Sequence, residues 1–178
     1  YYTLPASPYQ GTHIIEPEEF KLEGKTPATI YYGNQQQAVP YSTYQTMAAI
    51  AGNTLWIQGT TSWSQYAVVP QGAFLSLIAI SPGGGNGDLQ EMTPDGRSIK
   101  YSYQFYPFNR LGFYADRIGR HVLFFTVNGM VSSPVVIDVI PYTPPVYTQP
   151  IYYIPAFYYY HQLFNACPDD RRFCYGNC

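Results

Sequence analysis

Between residues 54 and 141 no apolar run outlasts one short strand, because turn-forming residues interrupt the chain at roughly ten-residue spacing. Leu55-Trp56-Ile57 is an apolar strand. Tyr66–Val69 and Phe74–Ile80 follow, separated by Pro70-Gln71-Gly72. Both faces of Phe74–Ile80 are mostly apolar, as in a central strand of a sandwich. Ser81–Asp88 reads as a flexible, glycine-rich turn. Leu89–Met92, Pro94-Asp95-Gly96 and Ser98–Tyr106 form a predicted hairpin, with Ile99, Tyr101, Tyr103 and Phe105 on one face. Gly112–Ala115 and His121–Val127 are further strands. Asn128-Gly129 signals a type I′ turn, and Met130–Ile140 closes the set. No sustained helical periodicity is present. The pattern predicts an all-β chain: an immunoglobulin-like antiparallel β-sandwich at 54–141, with extended N- and C-terminal segments at 1–53 and 142–178.

The N-terminal segment is punctuated by Pro5, Pro8, Pro17, Pro27 and Pro40, which cannot donate to a central ladder. Phe20 and Leu22 among Glu16, Glu18, Glu19 and Glu23 read as a short half-exposed strand, and Ala28–Tyr32 as a better one. Gln45–Ile50 has room for one helical turn before the Gly52-Asn53 turn signal.

Charge is scarce. Only 11% of the 178 residues are charged while 18% are aromatic, including 20 tyrosines. An average soluble domain carries about 25% charged residues. A surface of Tyr, Thr, Ser, Gln and Asn suits permanent contacts, because a tyrosine ring packs while its hydroxyl stays wet. With a net charge of −2 and no basic block, the chain lacks the electrostatic footprint of a nucleic-acid binder. No apolar run approaches the ~20 residues of a membrane-spanning helix. The opening Tyr1-Tyr2-Thr3 carries no initiator Met, which reads as a secreted chain whose signal peptide has been removed.

Motifs for chemistry are weak. Gly83-Gly84-Gly85-Asn86-Gly87 lacks the Lys-Ser/Thr of a phosphate loop and is read as a strand connection. His13, His121 and His161 lie in separate segments, and His121 reads as a packing residue at a strand edge. There is no Gly-x-Ser-x-Gly elbow; Ser62 and Ser64 flank Trp63 and look structural, while Asp95, Asp116 and Asp138 are scattered. Asn86-Gly87-Asp88 is a weak candidate for Ca2+, without the D-x-D-x-D-G run. Trp56, Trp63 and the tyrosines offer a platform for sugar rings, or equally a set of cross-strand pairs. The chain is therefore expected not to be an enzyme and to need no cofactor.

The strongest functional signal lies at the C-terminus. Residues 141–166 contain no Asp, Glu, Lys or Arg, and Pro141, Pro144, Pro145, Pro150 and Pro155 favour extended backbone. Tyr147, Ile151, Tyr152, Tyr153, Phe157, Tyr158, Tyr159 and Tyr160 make this an aromatic strip expected to form an assembly interface or to pack on its own domain. All three cysteines, Cys167, Cys174 and Cys178, follow it. An odd number in a secreted chain suggests one intramolecular pair plus one link to a neighbouring subunit, or links made entirely between subunits. With His161 they also form a Cys3His zinc set, though without the usual C-x2-C knuckle.

The stretch LWIQGTTSWSQYAVVPQGAFLSLIAISPGGGNGDL, then MTPDGRSIKYSYQFYPFNRLGFYADRIGRHVLFFTVNGMVSSPVVIDVIPY, resembles secreted surface proteins of methanogenic archaea. Their pattern is a Trp-rich opening, a Gly-Gly-Asn-Gly turn, a Pro-Asp-Gly turn and a closing G-x-H-x-L-x-F-x-x-N-G-x-x-S-x-x-V-x-I-D-V, here Gly119–Val139. The resemblance covers about half the chain, excludes the tail, and implies a cell-surface protein of the sheath type. Together these features predict a homopolymeric structural subunit of an extracellular sheath or filament, assembled by strand or tail exchange and disulfides. The alternative is a monomeric secreted module that binds carbohydrate or a protein partner.

Overall fold

The computed structural model describes residues 16–144. The chain enters along β1 (Glu18–Glu19), β2 (Thr29–Tyr32) and β3 (Gln37–Pro40), then helix α1 (Tyr41–Ala51). β4 (Thr54–Gln58), β5 (Ser62–Ser64), β6 (Tyr66–Pro70) and β7 (Phe74–Ile80) follow. The rest is β8 (Gly85–Met92), β9 (Ser98–Phe105), β10 (Phe108–Tyr114), β11 (Gly119–Val127), β12 (Met130–Val131) and β13 (Val135–Ile140).

The strands form two sheets. The first has the order β1-β10-β7-β4-β5-β2-β3 and the second β6-β13-β11-β8-β9, with β12 beside β11. This is the immunoglobulin arrangement. β7 lies between β4 and β10 in one sheet, while β13, β11, β8 and β9 adjoin in the other. The first strand is divided: β4 stays in the first sheet, and β6 crosses to the second. Pairing is antiparallel except at two places, β13 with β6 and β2 with β5.

Period-2 alternation builds the core between the sheets. Leu123, Phe125 and Val127 of β11 point inward with Val135, Ile137 and Val139 of β13. They meet Leu55, Ile57, Leu77, Ala79, Leu111 and Phe113 of the facing sheet. Phe105 stacks on Phe125 with ring centroids 4.8 Å apart and planes 15° from parallel.

The N-terminal segment differs most from its sequence reading. The single turn expected at Gln45–Ile50 is an eleven-residue helix. Pro40 precedes it and no side chain caps its N-terminus, so tertiary packing must hold it. Tyr41, Tyr44 and Ala48 pack, with Ile30 and Trp63, over Trp56, Ile78 and Ile80 on the outer face of the first sheet. This second core explains why β7 is apolar on both faces.

The glycine-rich segment also differs. The turn ends at Gly84, and Gly85 and Gly87 belong to β8. A Cβ on Gly87 would lie 2.5 Å from the Thr126 carbonyl oxygen and 2.6 Å from Val127 Cγ2. Glycine stands there because the neighbouring strand passes too close for any side chain. At Asn128-Gly129 both φ angles are positive, 51° and 74°, as a type I′ turn requires.

Candidate functional site

The outer face of the second sheet is the candidate site. The strand register places Met92, Val122, Val136 and Tyr66 in one row across β8, β11, β13 and β6. Phe124 sits beside Gln90 in an adjoining row. Met92, Val68 and Ile140 are 47%, 54% and 48% exposed, and no described residue forms a layer over them. Apolar side chains contiguous across four strands make a patch of the kind that marks an interaction surface.

An ion pair joins β11 to β13 on this face. Arg120 Nε and Nη2 each donate to Asp138, at 2.8 Å. Tyr66 Oη donates to Asp138 Oδ2 at 2.8 Å. The Arg120 hydrogen bonds hold the Asp138 carboxyl below the ordinary aspartate range against the opposing effect of burial, and Tyr66 adds to this. With these bonds made, the pair can be covered by a neighbour at a smaller desolvation cost than a lone charge.

Two sets of interior polar groups are linked by hydrogen bonds, His121 with Glu91 and Asn53 with Ser81. His121 and Glu91 are both fully buried, with Nδ1 and Oε1 2.8 Å apart. His121 Nε2 lies 2.9 Å from the Arg117 carbonyl oxygen. Both ring nitrogens thus face acceptors when Glu91 is ionised, so the imidazolium form fits. Burial alone would lower the His121 pKa; hydrogen bonds to Glu91 and Arg117, with the charges of Glu91 and Asp116, outweigh it and the net shift is upward. The sequence placed His121 at a strand edge as a packing residue, but it is a buried partner of an acid 30 positions away. Asn53 joins the sheets: its Nδ2 donates to the Met130 carbonyl at 2.8 Å, and its Oδ1 accepts from Ser81 Oγ at 2.9 Å.

The other candidates from the sequence find structural places. Trp56 and Trp63 are 0% and 1% exposed, so neither indole offers a face to a sugar ring. Trp56 Nε1 instead donates to Thr54 Oγ1 at 3.2 Å and lies 3.3 Å from Tyr44 Oη. Ser64 Oγ donates to the Tyr66 carbonyl at 2.7 Å. Asp88 accepts from Ser102 Oγ at 2.7 Å and pairs with Lys100 at 2.9 Å. Asp95 caps the β8–β9 turn through Thr93 and Arg97. Among the described residues no group of three His, Cys, Asp or Glu is placed to hold a metal ion. None of their helices is long and apolar enough to cross a membrane. Cys167, Cys174, Cys178, His13, His161 and the aromatic strip from Tyr147 to Tyr160 lie outside the described residues. The sequence did not single out the row Met92-Val122-Val136-Tyr66; the alternation of β11 and β13 carried the signal, since Val122, Phe124 and Val136 are apolar at outward positions.

No family model matches the chain, and no curated protein matches it. Among solved structures, 22 chains match. One comes from a study of T cell specificity and activation by the bacterial superantigen toxic shock syndrome toxin-1. It has a TM-score of 0.35 and 8% identity, over 50% of this chain and all of that one. Another comes from the fibronectin(III)-like modules of Clostridium thermocellum CbhA. It has a TM-score of 0.30 and 16% identity, over 49% of this chain and 95% of that one. Each likeness covers half of the chain or less, and the chain's own two-sheet topology is what defines its fold.

Proposed function

We propose that this chain is a structural subunit that assembles with copies of itself into an extracellular polymer at the cell surface, a sheath or filament, through exchange of strands or tails and through disulfides. One observation carries the reading: a sandwich whose second sheet presents an apolar row with no covering layer among the described residues. The charge-poor composition supports it, since 11% charged residues give little electrostatic repulsion between copies. So does the sequence after residue 140, where a charge-free aromatic strip precedes all three cysteines. Inside the sandwich, His121 with Glu91 and Asn53 with Ser81 are hydrogen-bonded to each other, which supports a structural role for these groups.

The test is electrophoresis of protein extracted from its native source, with and without reductant, beside electron microscopy of the envelope. The expected result is a ladder that collapses to a single monomer band on reduction, together with regular hoops or fibres. A single monomer band without reductant, with no ordered array, overturns the reading.

A further inference from the structure

A strand at the margin of a sheet presents unpaired N–H and C=O groups, which proteins shield by shortness, proline or charge. Among the described residues five strands hold such positions: β1, β3, β6, β9 and the two-residue β12. β1 has two residues, β3 ends at Pro40 and β6 ends at Pro70. β9 has none of these devices. It runs for eight residues without proline, and its one charge, Lys100, is drawn to Asp88 at 2.9 Å on the outer face of the sheet. Among the described residues nothing pairs with its far side.

The direction of its free groups follows from the hairpin. Thr93 N donates to the Arg97 carbonyl at 2.9 Å, and the register then runs from Met92↔Ser98 to Gly85↔Phe105 without a break. Bonded and non-bonded pairs alternate along an antiparallel ladder. Ile99, Tyr101, Tyr103 and Phe105 therefore bond to β8, and the N–H groups of Ser98, Lys100, Ser102 and Gln104 point to the open side.

Outside the described residues, the longest stretch free of both proline and charge lies in the C-terminal segment. Beyond Pro144 lie 34 residues, 145–178. Pro145, Pro150 and Pro155 cut the first of these into stretches of four. Ala156–Ala166 is then eleven residues free of both proline and charge. At about 3.3 Å per residue it spans roughly 36 Å, more than the roughly 26 Å of an eight-residue strand. Phe and Tyr dominate it, and both favour strands.

Resting on the assembly reading, we propose that Ala156–Phe164 of a second copy adds as a strand to the open edge of β9. Its carbonyls on the facing side accept from the free N–H groups of β9, and Phe157, Tyr159 and Leu163 extend the apolar row of Ile99, Tyr101 and Tyr103. Main-chain bonds supply the attachment and the side-chain row sets the register.

Hydrogen exchange on the full-length protein, assembled and dissociated, tests this. Assembly is expected to slow the amides of Ser98, Lys100, Ser102 and Gln104 by at least ~10-fold, an effect of a new backbone partner. A polymer in which these amides exchange as in the monomer overturns the strand addition and leaves the subunit reading standing. The strand addition is likewise overturned if they are already slow in the monomer. Failure of the wild type to polymerise at all overturns both. A Gln104→Pro variant removes one outward N–H and no bond to β8. It is expected to keep the monomer's Tm within a few degrees and to lose assembly; assembly at the wild-type level counts against the proposal.

Discussion

On the outer face of the first sheet, Trp56, Ile78 and Ile80 lie beneath α1 and its tyrosines. On the outer face of the second, Val122, Phe124 and Val136 are only half-buried, and Met92 and Ile140 are about half exposed. Similar apolar content meets opposite treatment. The first face is closed by the chain's own N-terminal segment, and burial there contributes to folding. Among the described residues nothing covers the apolar area of the second face, which suits it to association instead. Five substitutions break or sharpen that contrast.

Trp56→Ala should have the largest effect. It empties a fully buried site beneath α1 and removes the indole donor to Thr54, so a loss of about 3–5 kcal/mol is expected in urea unfolding. A change below about 1 kcal/mol would mean that the helical layer is not part of the cooperative fold. The interior between the two faces comes next. Glu91→Ala leaves His121 buried without its carboxylate partner, and a cost of about 3 kcal/mol is expected. The pH dependence has a definite sign. The folded His121 pKa lies above its ordinary value of 6.5, so its contribution is fully present below about 6.5 and is lost as pH rises through the raised folded value. Urea midpoints for the wild type should fall across that window, and a His121→Gln variant should show a flatter profile.

Gly87→Ala comes third. The added methyl would meet the Thr126 carbonyl oxygen and Val127, and about 1–3 kcal/mol of overpacking cost is expected by thermal unfolding. The smallest effect on the monomer belongs to the open face. Met92→Lys, at a position 47% exposed, should change monomer stability by no more than about 0.5 kcal/mol. Light scattering of the same variant should nonetheless show a marked loss of assembly, a separation that no substitution on the covered face should produce.

Most of the second sheet was legible locally. The Pro94-Asp95-Gly96 and Asn128-Gly129 turns sit where their dipeptides placed them, and the alternation of Ile99, Tyr101, Tyr103 and Phe105 gave the inward face of β9. The layer over the first sheet was harder to see. Tyr41, Tyr44 and Ala48 share a helical face, but Pro40 supplies no capping side chain and Ser, Thr and Tyr are weak helix formers. β3, Gln37–Pro40, holds one apolar pair beside a proline and gives almost no periodic signal. Gly85 and Gly87 read as a loop because nothing nearby in sequence reveals how closely β11 passes. The His121–Glu91 pair and the two parallel pairings join residues tens of positions apart, so a pattern read along the chain does not contain them.

The pairing of β13 with β6 has a mechanical consequence. Val136–Ile140 lies beside Tyr66–Pro70 in parallel register, and on the other side Val135–Val139 pairs with β11. Tension transmitted to the chain beyond Ile140 pulls β13 along its own length. The ladders on both sides then resist in shear, sharing the load among several backbone bonds instead of opening one at a time. A subunit linked to its neighbours through this end would carry traction along the stiffest direction of its sheet.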